Sequence, residues 1–293
     1  MKNVLISLLT ISISFFITTL VLGNFSTTST GVSTTNGVVT TTEATEESNS
    51  PIVASADDLE FSDTLETYEL WKDYYTDNID LATDFVPVDR DGSEITKKDF
   101  LEKLKTGKYV PVKLNEAETL YQLYRIDDES HEKIAKTIKA KADIAYHYYL
   151  KEGEAMPEFR FKDLNGNLYT KDNTIGNILV IECWYTQCTT CIEEFPKIND
   201  LYDRYEGHDD VIFLSLAFEK SAKLKKFLSK IEFRYPAVAN QKEFMKNKLG
   251  IIQYPTHIIV DEYGTIVKMV NNADSLILAL DTIANEGLLD SEF

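Results

Sequence analysis

The residues with the most chemistry in them lie together. Residues 183–196 read Cys183-Trp184-Tyr185-Thr186-Gln187-Cys188-Thr189-Thr190-Cys191-Ile192-Glu193-Glu194-Phe195-Pro196. A C-x-x-C pair stands where an apolar run ends and a helix-forming run begins. A helix N-terminus presents unpaired N–H groups and the positive end of the helix dipole, so a thiolate placed there is stabilised and its pKa falls. The three-residue separation puts the second sulfur one turn below the first, within reach of a disulfide. The pattern predicts Cys188 as the exposed attacking thiol and Cys191 as the inner, resolving thiol. Thiol–disulfide exchange requires that division of labour.

Other uses of these cysteines fit less well. A zinc site needs two more ligands. Cys183 lies on the preceding strand, and His131, His147, His208 and His257 show no paired spacing near it. A purely structural disulfide suits an exported chain, but a four-residue loop does little to staple a fold. A single-cysteine peroxidase or protease would want a general base, and none is suggested nearby. No metal or cofactor is therefore expected beyond the redox-active pair itself. Cys183 reads as a buried strand residue, a small hydrophobe with no assigned role.

Two carboxylates stand out beside the cysteines. Glu182 interrupts an apolar strand six residues before Cys188. A buried carboxylate is costly and shifts its pKa upward, so beneath a disulfide it would accept the proton of Cys191. The plainer reading is a strand-edge Glu that reaches solvent. Glu194 lies three residues after Cys191 on the same helix face, where it would relay protons or simply complement the helix dipole. Farther on, Tyr254-Pro255-Thr256 precedes a buried strand. A cis bond before Pro255 would turn the Tyr254 backbone toward an extended substrate, whereas a trans Pro entering a strand is the default.

Elements must hold these groups in place. Residues 178–184 form a nearly continuous apolar run, as a buried strand would, and a helix is expected over 189–205. Strands at 211–217, 235–239, 257–260 and 266–270 alternate with helices at 219–231, 241–249 and 275–284. Turns at Asn165-Gly166 and at Asp261-Glu262-Tyr263-Gly264 mark hairpins. The alternation argues for an α/β fold with a mixed sheet covered on both faces.

The chain before this part changes character three times. Met1-Lys2-Asn3 leads an uncharged run over 4–22, the shape of a signal peptide or membrane anchor over 1–23. Residues 24–56 are rich in Ser and Thr and too poor in bulky apolar residues to offset their ordering entropy, as a disordered linker is. Residues 57–151 form a mainly helical N-terminal extension, and 152–293 the part that carries the cysteines. Within the extension, helices are expected at 64–75, after an N-cap at Thr96, and over 129–151, with Ile134, Ile138, Ala142, Ala145 and Tyr149 inward and a strand at 109–114. Gly107 should close the second of these helices.

Composition excludes several classes. The 293 residues are 43% hydrophobic with 3 Cys, which rules out collagen, a disulfide-dense mini-domain and a wholly disordered chain. A net charge of −18 repels phosphate backbones, so nucleic acid is not an expected partner.

Trp184, Cys188, Cys191, Glu194 and Pro196, followed by Tyr254-Pro255-Thr256 and Asp261-Glu262-Tyr263-Gly264, resemble the exported thioredoxin-like TlpA/ResA family of thiol–disulfide oxidoreductases over about residues 155–285. The resemblance implies a thioredoxin-like mixed sheet flanked by helices, and a cis Pro255 facing the cysteines. It implies a catalytic set of Cys188, Cys191, Glu182 and Glu194, and a substrate-binding set of Trp184, Tyr254, Pro255 and Thr256. It further implies disulfide-bearing exported proteins, such as apocytochromes, as substrates of a reductase outside the cytoplasm, in the periplasm or on the outer side of the membrane. A membrane electron donor would restore the dithiol, and residues 4–22, if retained, would tether the protein to the membrane. Thr189 and Thr190 between the cysteines, Gln187 before them and a bulky Tyr254 depart from the common pattern at positions that set redox poise. An oxidase or isomerase would use the same site. A thioredoxin-fold scaffold with a permanently oxidised pair, and 57–151 as its interaction surface, is the competing class.

Overall fold

A computed structural model describes residues 57–115, 119–126 and 129–285 of the protein. The expected leader (1–23) and Ser/Thr-rich linker (24–56) lie outside the described residues. Among the described residues, no helix is long and apolar enough to cross a membrane.

The extension begins with α1 (Asp57–Thr64) and α2 (Tyr68–Asn78), followed by β1 (Val86–Val88), α3 (Lys97–Leu104), β2 (Tyr109–Asn115), β3 (Leu120–Arg125) and α4 (Glu132–Tyr149). Side-chain caps set the starts of two helices. Thr67 accepts the Leu70 N–H at 3.2 Å, so α2 starts later than the apolar spacing suggested. Thr96 accepts the Asp99 N–H at 3.1 Å and donates its own hydroxyl to the Asp99 carboxylate at 2.7 Å. Gly107 adopts φ +76°, and a Cβ there would lie 3.2 Å from the Ala135 carbonyl oxygen of α4. Its lack of a side chain lets this turn approach the helix. Trp71, Phe100, Leu101, Leu104, Ile138 and Ala142 form the core of this part, all fully buried.

The extension holds more sheet than its sequence suggested. β1, β3 and β2 form a three-stranded sheet, β3 lying parallel to β1 and antiparallel to β2. Only β2 was expected. β1 is three residues long, and β3 (Leu-Tyr-Gln-Leu-Tyr-Arg) carries apolar groups on both faces, so neither shows a clean period of two.

The second part carries the hairpin β4 (Arg160–Lys162) and β5 (Leu168–Thr170), a short α5 (Lys171–Thr174), and then β6 (Ile178–Trp184), α6 (Thr189–Arg204), β7 (Val211–Ala217), α7 (Ser221–Leu228), β8 (Ala237–Val238), α8 (Lys242–Asn247), β9 (Thr256–Val260), β10 (Ile266–Val270) and α9 (Ala273–Asn285). The five-stranded sheet has the order β10-β9-β6-β7-β8. β6, β7 and β8 run parallel, while β9 runs antiparallel to both β6 and β10. β6 is central and buried along its whole length, which explains its unbroken apolar reading.

Side chains alternate across β6. Leu179, Ile181 and Cys183 join Tyr148 of α4, Met156 and Met245 of α8 on one face. Ile178 and Val180 join Ile198 and Leu201 of α6 and Leu276 and Leu280 of α9 on the other. Glu182 and Trp184 belong to this second face by the same alternation. The extension meets the sheet through the last turns of α4. After α4 the backbone runs along β10, with Gly153 N–H donating to Ile266 O (2.8 Å) and Ile266 N–H to Glu154 O (2.9 Å).

Candidate active site

The site is built at the carboxyl end of β6, where the chain turns into α6. Cys188 is the N-cap of α6, and its sulfur accepts the Cys191 N–H at 3.2 Å. Cys188 and Cys191 are joined as a disulfide. Cys188 keeps 5% of its surface exposed and Cys191 none. Both cysteines are buried in the oxidised protein, Cys188 slightly less than Cys191, so the exposed Cys188 expected from the sequence is not seen. Cys183 is free and fully buried; burial, reinforced by neighbouring Glu182, holds its thiol protonated.

The loop before Cys188 is tied down by a residue that the sequence reading passed over. Glu219 accepts the Thr186 hydroxyl at 2.6 Å and the Thr186 N–H at 3.2 Å, and Lys223 at 3.2 Å. Burial pushes the Glu219 carboxyl up, but the hydrogen bonds from Thr186 and Lys223 outweigh it and hold the pKa below the ordinary value.

Beneath the disulfide a polar stripe crosses three strands. Glu182 is paired in register with Ser215 on β7 and His257 on β9. Register partners on neighbouring strands point to the same face, here toward α6. Glu182, Ser215 and His257 are all wholly buried. Neither Glu182 oxygen, nor Ser215 Oγ, nor His257 Nδ1 has a protein hydrogen-bond partner. His257 Nε2 meets Glu194 Oε2 of α6 at 3.1 Å. Burial, and then the nearby Glu194 charge, raise the Glu182 pKa well above the usual carboxylate range. The two acids named from the sequence thus face one cluster, and His257 joins it. His257 escaped notice because its contact with Glu194 spans 63 residues of chain.

The second wall is the loop before β9. The Tyr254–Pro255 bond is cis. Tyr254 packs edge-on against Tyr185 (5.5 Å between centroids) and Phe218 (5.0 Å). Tyr185 and Tyr254 also pack against the cluster that holds both cysteines. Tyr148 of α4 holds this loop from below. Its hydroxyl lies 3.0 Å from Thr256 Oγ1 and accepts the Gln253 and Ile252 N–H groups at 3.2 and 3.3 Å. His147 Nε2 lies 2.7 Å from the Gly250 carbonyl oxygen. Sequence periodicity pointed to Tyr149 as the inward residue, yet Tyr148 is the buried one and Tyr149 only half-buried.

The expected substrate-binding set differs in exposure from residue to residue. Trp184 is wholly buried, ringed by Phe195, Phe227 and Phe233, and packs in the cluster that holds both cysteines. Pro255 and Thr256 are buried too, and the Thr256 hydroxyl is committed to Gln253 O at 2.7 Å. Tyr254 alone of the four leaves its side chain part-exposed, beside part-exposed Tyr185 and Phe218 and the exposed Ile252.

Comparison with known proteins places this geometry. Residues 153–269 match the AhpC/TSA family. The chain is 25% identical over 118 residues to the thiol-disulfide oxidoreductase ResA of Geobacillus thermodenitrificans, covering 40% of this chain and 68% of that protein. It is 27% identical over 119 residues to the thioredoxin-like protein YneN of Bacillus subtilis, covering 40% and 69%. The thioredoxin domain of a Bacteroides vulgatus thiol-disulfide oxidoreductase is 19% identical over 45% of this chain and 96% of that one, with a TM-score of 0.41. The cysteine-bearing part is a thioredoxin-like domain similar to thiol-disulfide oxidoreductases of the ResA type.

Proposed function

We propose that the protein is a thiol–disulfide oxidoreductase that reduces disulfides in exported proteins outside the cytoplasm. The observation that carries this reading is the asymmetric pair: Cys188 at the helix N-cap with a small exposed surface, and Cys191 wholly buried one turn behind it on the helix that faces buried Glu182. In the reduced protein, the Cys188 thiolate attacks one sulfur of a substrate disulfide. That S–S bond breaks, a Cys188–substrate bond forms, and the departing substrate thiolate takes up a proton. Cys191 then loses its proton to the Glu182 carboxylate and attacks the Cys188 sulfur. The substrate leaves as its second thiolate, and the Cys188–Cys191 disulfide described above is the product. Two electrons pass to the substrate, and an external dithiol must return them.

A raised pKa suits Glu182 to this work, because a more basic carboxylate takes a thiol proton more readily. The part-exposed aromatic surface of Tyr185, Phe218 and Tyr254 gives an unfolded or extended polypeptide an apolar place to rest. The leader pattern over residues 1–23 supports placement outside the cytoplasm.

Trapping tests the reading. A Cys191→Ala protein, incubated with a secreted or periplasmic fraction, should accumulate covalent adducts through Cys188 that survive denaturation and dissolve in dithiothreitol. A protein that holds its partners equally well under reducing conditions, with no adducts, would be a scaffold instead. Titration of the pair in glutathione buffers then sets the direction. A potential well below that of glutathione supports a reductase, and one far above it an oxidase or isomerase.

A further inference from the structure

The buried polar stripe holds more than one general base needs. Glu182 has no exposed surface, so a proton accepted from Cys191 cannot pass directly to bulk solvent. His257 is the neighbour of that acid on β9. Its ring is wholly buried, it is the register partner of Glu182, and its Nε2 lies 3.1 Å from Glu194 Oε2. A carboxylate oxygen only accepts, so the neutral ring places its proton on Nε2 and leaves the Nδ1 lone pair bare. Nδ1 is buried without a protein partner, as are both oxygens of Glu182. Buried polar atoms are ordinarily satisfied, and each that is not costs free energy. Three such atoms on register-paired residues mark a place kept for proton traffic. Glu194 is part-exposed and completes the path to solvent.

We propose that His257 carries the proton between Glu182 and Glu194, and so links the resolving thiol to solvent. When Cys191 attacks the mixed disulfide, its proton passes to the Glu182 carboxylate. No hydrogen bond joins Glu182 to His257 Nδ1, so the Glu182 acid gives its proton to Nδ1 through one bridging water, while Nε2–H passes one to Glu194, which exchanges with solvent. Ring and acid return to their starting charge, and no electrons move along this path. Reduction of the pair runs it backward. His257 is a positioning and proton-carrying residue, with Glu182 facing it from β6 and Glu194 from α6. On β10 its register partner is the apolar Val270. Tyr235, whose buried hydroxyl also lacks a protein partner, feels the Glu182 charge.

This inference rests on the disulfide-exchange reading, and one experiment separates the two. The reduced full-length protein is mixed with 5,5′-dithiobis(2-nitrobenzoate) in a stopped-flow instrument across a range of pH. Release of the first thionitrobenzoate reports attack by Cys188, and release of the second reports resolution by Cys191. His257→Gln keeps a hydrogen bond to Glu194 but cannot shuttle a proton. It should slow the second phase on the order of 10-fold, less than the loss of a direct general base, and change its pH profile while sparing the first phase. Glu194→Gln cuts the path at its outer end, where folding is not at risk, and should reproduce both effects. Wild-type second-phase rates and pH profiles in both variants would overturn the relay. If the wild-type protein itself never releases a second equivalent, the oxidoreductase reading fails and the relay with it.

Discussion

The hydroxyl of Tyr148 lies 3.0 Å from Thr256 Oγ1, the residue directly after the cis proline, although 108 positions separate the two in the chain. Tyr148 belongs to the last turn of α4, in the part of the chain that carries no catalytic motif. The extension therefore reaches under the active-site loop and supplies one of its hydrogen-bond acceptors.

Removing that hydroxyl isolates its effect. Tyr148→Phe keeps the buried ring and leaves the Ile252 and Gln253 N–H groups without their acceptor. The loss should be about 1–2 kcal/mol of unfolding free energy, the cost of stranding part-buried donors. With the loop loosened, KM for a disulfide-bearing peptide should rise more than kcat falls. Urea unfolding and steady-state kinetics check the two halves, and an unchanged KM would show that the loop needs no support from α4.

Glu182 should make stability depend on pH in an unusual direction. Its folded pKa lies well above the ordinary value, so the fold holds a proton that the open chain has released. Stability then falls as pH climbs from the usual carboxylate range toward the folded pKa, by about 1.4 kcal/mol per pH unit, and levels off beyond it. Glu182→Gln carries no such charge. The oxidised variant should match the wild type near about pH 4 and exceed it near about pH 8. Urea unfolding at both pH values measures this. A wild type that gains on the variant as pH rises would mean that Glu182 is stabilised as a carboxylate.

Glu219 should show the opposite sign. Its pKa is held down by Thr186 and Lys223, so its contribution is present above the unfolded carboxylate pKa and is lost as pH falls through the lowered folded value. Glu219→Ala should cost about 2 kcal/mol at neutral pH, as loss of a charged acceptor does, and less in acid. Because Thr186 lies two residues before Cys188, attack by Cys188 on a model disulfide should also slow. Unfolding curves at two pH values and the first phase of thiol release provide the check.

The parts of the fold that repeat a simple period were readable in advance. The bounds of β6, β7 and β10 fall where the apolar runs begin and end. The Cys188–Cys191 pairing was legible because it follows from spacing on one helix turn. His257, Tyr148 and Glu219 were not, because each acts on the site across a long stretch of chain and nothing local marks it. The burial of Trp184 was illegible for a related reason. An aromatic beside a reactive cysteine reads the same whether it points to solvent or, as here, into Phe195, Phe227 and Phe233.

The span recognised as AhpC/TSA begins at residue 153, just past the end of α4. A fragment cut to that span would keep both cysteines, Glu182, His257 and the cis proline, and would look complete by inventory. It would nonetheless lack the phenol and imidazole that brace the 250–256 loop from below. The smallest piece of this chain that keeps the 250–256 loop braced therefore begins upstream of the matched span, within the long helix itself.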